Sequence, residues 1–259
     1  MSHQKGEIHM KKVTLYTTAV LASLIVTGIA TTASADEVAT YDAYGAIKYT
    51  PSTNVTDPID PLNPTQPVTP ENPDPTIPIV PGTPGPLSID FASSFDFGTQ
   101  EITSEDMVYS AAAQKYKDAT GNATTGPNYV QVTDNRGTLA GWSLTVKMGD
   151  FASTDSASAG KPGATLDGAK VYLTNATIAS ASKTPADKVK TITALDPNVQ
   201  SDMVMGATDG NGAGTNLVDF GNDATKDSSV KLEIPGASTK LASSYKATIT
   251  WSLSDTPAN

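Results

Sequence analysis

Two Trp-Ser-Leu triplets, Trp142-Ser143-Leu144 and Trp251-Ser252-Leu253, and the single arginine, Arg136, are the residues best suited to recognition chemistry. An indole offers a flat apolar face to the C–H face of a sugar ring. A guanidinium offers a planar fork of donors to a carboxylate. Each also has a structural reading. Trp142 shares its strand face with Leu144 and Val146, and Trp251 shares its face with Ile249 and Leu253, so the strand phase favours the core for both. Arg136 follows Asp134 by two residues at a turn, where an ion pair or backbone tie is the favoured role.

Other constellations are weaker. There is no cysteine, and the two histidines, His3 and His9, lie near the start of the chain. Ser-His-Asp and Cys-His nucleophile pairs and Cys- or His-ligated metals are therefore excluded from the rest. Ser-x-x-Lys occurs at Ser158/Lys161, Ser180/Lys183 and Ser243/Lys246 without the Lys-Thr-Gly that a Ser-Lys hydrolase needs. Asp209-Gly210-Asn211-Gly212 begins like a calcium loop, but its twelfth position is Phe220 where an EF-hand has Glu. An irregular structural Ca2+ site from Asp209, Asp219 and Asp223 is the one cofactor candidate, and none is the expectation. Carboxylate pairs for glycoside hydrolysis are uninformative among 19 acidic residues in 87–259. The expectation is a protein that is not an enzyme.

The net charge is −10. With no basic stripe, that disfavours nucleic acid. Residues 1–35 read as a leader and secretory signal peptide. Lys11 and Lys12 precede an apolar stretch from Val13 to Ala30, and Ala33-Ser34-Ala35 is a small-residue site placing cleavage between Ala35 and Asp36. Met10 is the better start. The mature chain is then expected to be secreted, free of the membrane, and more acidic, with 14 basic and 26 acidic residues.

Residues 36–50 carry a short alternating piece, Ala43–Thr50, expected to be a strand that docks on the main sheet or on another molecule. Residues 51–86 hold 12 of the 18 prolines, many at three-residue spacing. That is the period of a polyproline II helix, and predicts an extended, solvated spacer of up to roughly 110 Å at ~3.1 Å per residue. Residues 87–259 alternate apolar and polar residues with period two, as in Val130/Val132, Trp142–Met148, Val230–Ile234 and Tyr245–Leu253. Turn clusters such as Asp134-Asn135-Arg136-Gly137 separate them. An all-β antiparallel sandwich or barrel-like domain is predicted, with a short helix over 104–117 as a weaker expectation.

The triplets have context. The first follows Val132-Thr133-Asp134-Asn135-Arg136-Gly137 and stands in Gly141-Trp142-Ser143-Leu144-Thr145-Val146. The second stands in Tyr245–Pro257, and Phe95-Asp96-Phe97-Gly98-Thr99-Gln100 and the Asp- and Thr-rich proline segment extend the match. This resembles the WxL-domain cell-surface proteins of Gram-positive bacteria over essentially the whole mature chain. The resemblance implies a secreted protein on the cell wall, with peptidoglycan or an associated wall polymer as ligand. It also implies partnership with other secreted surface proteins of the same cell, and it names no catalytic residues. No LPxTG-like signal stands at Ser254–Asn259 and no lipobox cysteine follows the signal peptide, so attachment is expected to be non-covalent. One rival is a structural or adhesive subunit of a multi-protein surface complex that binds protein partners. A carboxylate glycosidase is the remaining rival.

Overall fold

The computed structural model of the protein describes residues 39–259. The signal peptide and the Ala35–Asp36 cleavage site lie outside the described residues. Lys48–Asn259 forms one compact unit. Its strands are β1 (Ile59–Asp60), β2 (Asn63–Pro67), β3 (Thr69–Pro70), β4 (Leu87–Ala92), β5 (Met107–Ser110), β6 (Gln114–Lys117) and β7 (Ala123–Gly126). There follow β8 (Asn128–Asp134), β9 (Trp142–Met148), β10 (Ala152–Ser153), β11 (Lys170–Leu173), β12 (Ala176–Ala179) and β13 (Lys188–Val189). The last are β14 (Ile192–Leu195), β15 (Gln200–Ala207), β16 (Gly214–Phe220), β17 (Val230–Ile234), β18 (Tyr245–Lys246) and β19 (Ile249–Ser254). Among the described residues the helical content is one 3-10 turn, Ser156–Ser158. The protein is all-β.

Three four-stranded antiparallel sheets enclose the main core, in the orders β14-β11-β17-β5, β12-β16-β8-β4 and β13-β15-β9-β19. Period-two alternation generates that core directly. Val130 and Val132 of β8, Trp142 to Met148 at even positions of β9, and Val230, Leu232 and Ile234 of β17 all turn inward. Residues 104–117 form β5 and β6 instead of a helix. Gln114 and Tyr116 are buried while Lys115 and Lys117 are exposed, a period of two that no helix face could produce.

The proline run departs from the expected spacer. Residues 58–70 fold back as the β1–β2 hairpin and β3, with β3 completing a small sheet in the order β3-β6-β7. The reason lies on β8, whose outward face also carries groups that need partners. All seven residues of β8 are buried. Gln131 accepts from the Ile59 N–H at 2.8 Å and donates to the Asp57 carbonyl at 3.0 Å. Ile59 and Ile79 pack on a second cluster of Phe91, Tyr129 and Leu217. Residues 57–70 and Ile79 thus form a covering layer, while most of the prolines stay exposed, and residues 87–259 are not the whole of the domain. Ala43–Thr50, by contrast, forms no strand. Tyr44, Ile47 and Tyr49 stand exposed there, without the ladder partners a strand requires.

Candidate functional site

Trp142 is a core residue. It is 0% exposed, and its indole N–H donates to the Gly212 carbonyl at 3.1 Å. Gly212 has a φ of +86°, and a Cβ there would come within 2.4 Å of the indole nitrogen, so this turn needs glycine for the ring to lie where it does. Leu144 is equally buried, and Ser143 lies on the opposite, half-buried side of the strand.

Trp251 is placed differently. It stacks beside Phe220 with ring centroids 6.2 Å apart, yet it is only half-buried. Ile249 and Leu253 share its face and its partial exposure, while Ser252 points to solvent. The cause is topological, since β19 is the last strand of its sheet.

Beside β19 an open groove of about 990 Å3 runs toward β4. Its apolar lining includes Trp251, Ile249, Phe95, Phe97 and Tyr109, and the chain from Asn72 to Thr83 borders it. Val80 on that border is 78% exposed. Phe97 packs edge-on against Phe151 at 6.2 Å, which fixes that side of the groove. Phe95 to Gln100, noted in the sequence beside the triplets, thus belongs to the same site as Trp251. No pattern of residue types marked Asn72–Thr83 as joining them.

The rim is charged. Asp74 lies 4.0 Å from Lys246, and hydrogen bonds from Thr76, with Lys246 nearby, hold its carboxyl below the usual range. Lys240 is spent on the carbonyls of Pro235 and Ser238, both at 3.0 Å. Asp96 and Glu101 also line the groove.

Arg136 lies outside this groove. It forms a two-pronged pair with Asp134, Nε to Oδ1 at 3.0 Å and Nη2 to Oδ2 at 2.7 Å, and donates to the Gly141 carbonyl at 2.7 Å. The Arg136 backbone N–H also donates to Asp134 Oδ1. The guanidinium therefore ties the β8–β9 turn to the residue preceding Trp142.

The remaining candidates are dispersed. Asp209 sits in an exposed turn before β16, Asp219 is buried near the far end of β16, and Asp223 pairs with Lys226 at 2.7 Å. No group of three His, Cys, Asp or Glu side chains able to hold a metal ion occurs among the described residues. The Ser180 hydroxyl donates to the Thr215 carbonyl at 2.6 Å, and the Ser243 and Ser153 hydroxyls share a bond of 2.6 Å. Among the described residues no hydrogen bond joins Ser158, Ser180 or Ser243 to the side chain of its lysine.

A family model described as "WxL domain surface cell wall-binding" matches residues 36–257. The chain belongs to the WxL-domain family. Membership makes it a surface protein with a cell wall-binding domain. No curated protein and no solved structure matches it significantly. Both triplets of this WxL domain lie on neighbouring strands, one sealed in the core and one bordering the groove.

Proposed function

We propose that this WxL protein is secreted, non-catalytic, and attached non-covalently to the Gram-positive cell wall by binding peptidoglycan through its β domain. The observation that carries this reading is the wall-binding family match across residues 36–257. The test is sedimentation of the chain from Asp36 onward with purified sacculi stripped of protein. The expected result is co-sedimentation that denaturant reverses. Protein left in the supernatant overturns the reading, and retention through denaturant overturns its non-covalent part.

One observation favours a second reading, a subunit of a multi-protein surface complex. The groove leaves a strand edge and an aromatic side chain open together, as a protein-binding surface does.

A further inference from the structure

On β9 the inward side chains Trp142, Leu144, Val146 and Met148 are each 0% exposed. On β19 the residues in the same phase, Ile249, Trp251 and Leu253, are only half-buried. The two strands differ in their neighbours. β9 lies between β15 and β19, whereas β19 has a strand on one side only.

The ladder fixes which backbone groups are left over. The Gly149 N–H donates to the Thr248 carbonyl at 2.8 Å, so that pair is a hydrogen-bonded one. In an antiparallel ladder such pairs alternate with non-bonded ones. Thr250, Ser252 and Ser254 therefore turn their N–H and C=O groups toward β9. Ile249, Trp251 and Leu253 stand opposite Met148, Val146 and Leu144 and turn theirs away. The outward groups of Ile249 and Trp251 have no hydrogen-bond partner among the described residues. Both residues line the groove.

We propose that the outer edge of β19, at Ile249 and Trp251, accepts an extended polypeptide strand of a partner protein, whose alternate apolar side chains enter the groove and whose flank carries basic residues. This rests on the subunit reading above and not on the binding of peptidoglycan. The paired donors and acceptors of a strand edge recur every second residue, about 6.8 Å apart. A polypeptide in extended form matches that repeat with its own backbone, whereas a glycan presents hydroxyls without it. The period-two pattern also puts every second side chain of an added strand on the inner face, beside Trp251 and Phe95. Charge complementarity sets the flank. Of the groove's charged groups, Asp74 and Lys246 face each other, Asp90 is buried, and Lys240 keeps its charge while donating to carbonyls. Asp96 and Glu101 have no ion-pair partner among the described residues, so the rim carries a small excess of negative charge even with Lys240 counted.

The test follows backbone amide exchange by NMR on the 15N-labelled chain from Asp36 onward, which contains the whole compact unit. The probe is a synthetic peptide of the β9 sequence, Trp142–Met148, with two lysines at each end. β9 is a strand that β19 already pairs with on its inner edge. In the free protein the Ile249 and Trp251 amides should exchange fast and those of Thr250 and Ser252 slowly. The peptide should slow Ile249 and Trp251 by about tenfold or more, and its alternately N-methylated form should not. No slowing at either amide overturns the proposal. So does equal slowing by the methylated peptide, or slowing by a soluble muropeptide alone. Sedimentation with bare sacculi is measured separately, so failure of wall binding and failure of strand addition give different results.

Discussion

Leu144 and Leu253 stand directly opposite each other in the antiparallel ladder between β9 and β19. The two triplets therefore run side by side in opposite directions, and their tryptophans point to different places. Trp142 lies at the β15 end beside Ala207, and Trp251 lies opposite Val146. One repeated motif thus does two jobs, core filling and lining of an open groove.

The first prediction separates those jobs. Trp142→Ala should cost about 3–5 kcal/mol, as large-to-small changes in a sealed core do. Trp251→Ala should cost about 1–2 kcal/mol, because a half-exposed indole removes less apolar surface from water on folding. Urea unfolding of both variants measures the difference. Equal losses would mean that Trp251 is as firmly enclosed as Trp142.

The alternation in β9 and β19, and the shared phase of each tryptophan with its leucine, were legible in the order of residue types alone. The difference in their enclosure was not, because it depends on where β19 ends up in its sheet. Asp134 and Arg136 were legible as a local pair across two residues. The role of the prolines was hidden for another reason. Gln131 and Thr133 occupy the polar phase of β8 and read as a solvent face, yet a second layer covers them. Period two reports which residues share a face and says nothing of what lies over it. The short helix expected over residues 104–117 gives way to strands, through tertiary pairing of β5 with β17 and β6 with β7.

The covering layer can be tested by replacement. Exchanging residues 58–70 for a Gly/Ser chain of equal length removes the buried Val68 and the Tyr116 hydroxyl's bond to Asp60 at 2.9 Å. It also takes the Ile59 side chain off the Phe91, Tyr129 and Leu217 cluster. The loss should be several kcal/mol, since each buried aliphatic side chain contributes ~1.5–3 kcal/mol. The same exchange over residues 39–50 should leave the melting temperature unchanged, because those residues are exposed. Calorimetry on the two variants decides it. A melting temperature unaffected by the first exchange would show a detachable spacer.

Arg136 offers a test of its own. Asp134 is 2% exposed in its side chain and Arg136 16%, so removing the guanidinium strands a nearly buried carboxylate. Arg136→Ala should destabilise by about 2–4 kcal/mol. Arg136→Lys should restore little, because an ammonium cannot span both carboxylate oxygens and the Gly141 carbonyl in one plane. A variant that keeps its stability and loses only sacculus binding would assign Arg136 to ligand contact instead.

The last prediction concerns pH. Asp219 is 4% exposed, its Oδ1 has no hydrogen-bond partner, and Tyr129, its register partner on β8, carries an equally unpartnered hydroxyl. Burial, with the nearby Asp60 carboxylate adding to it, pushes the Asp219 carboxyl well above its usual value. Tyr116 also stands close to Asp60, holding it by a hydrogen bond. Asp90 is raised as well, by burial that outweighs its bonds from Ser88, Thr133 and Gln131. The folded state therefore holds protons that the unfolded chain releases near pH 4. Stability from these two groups is full below that pH and declines as pH rises through their folded values. Asp219→Asn keeps the shape and removes the ionisable group. It should raise the melting temperature at neutral pH and flatten this group's share of the decline, with little gain below pH 4. Thermal melts of the protein and the variant across that range measure it. A variant less stable than the parent at neutral pH would mean that the charged carboxylate is stabilised where it lies.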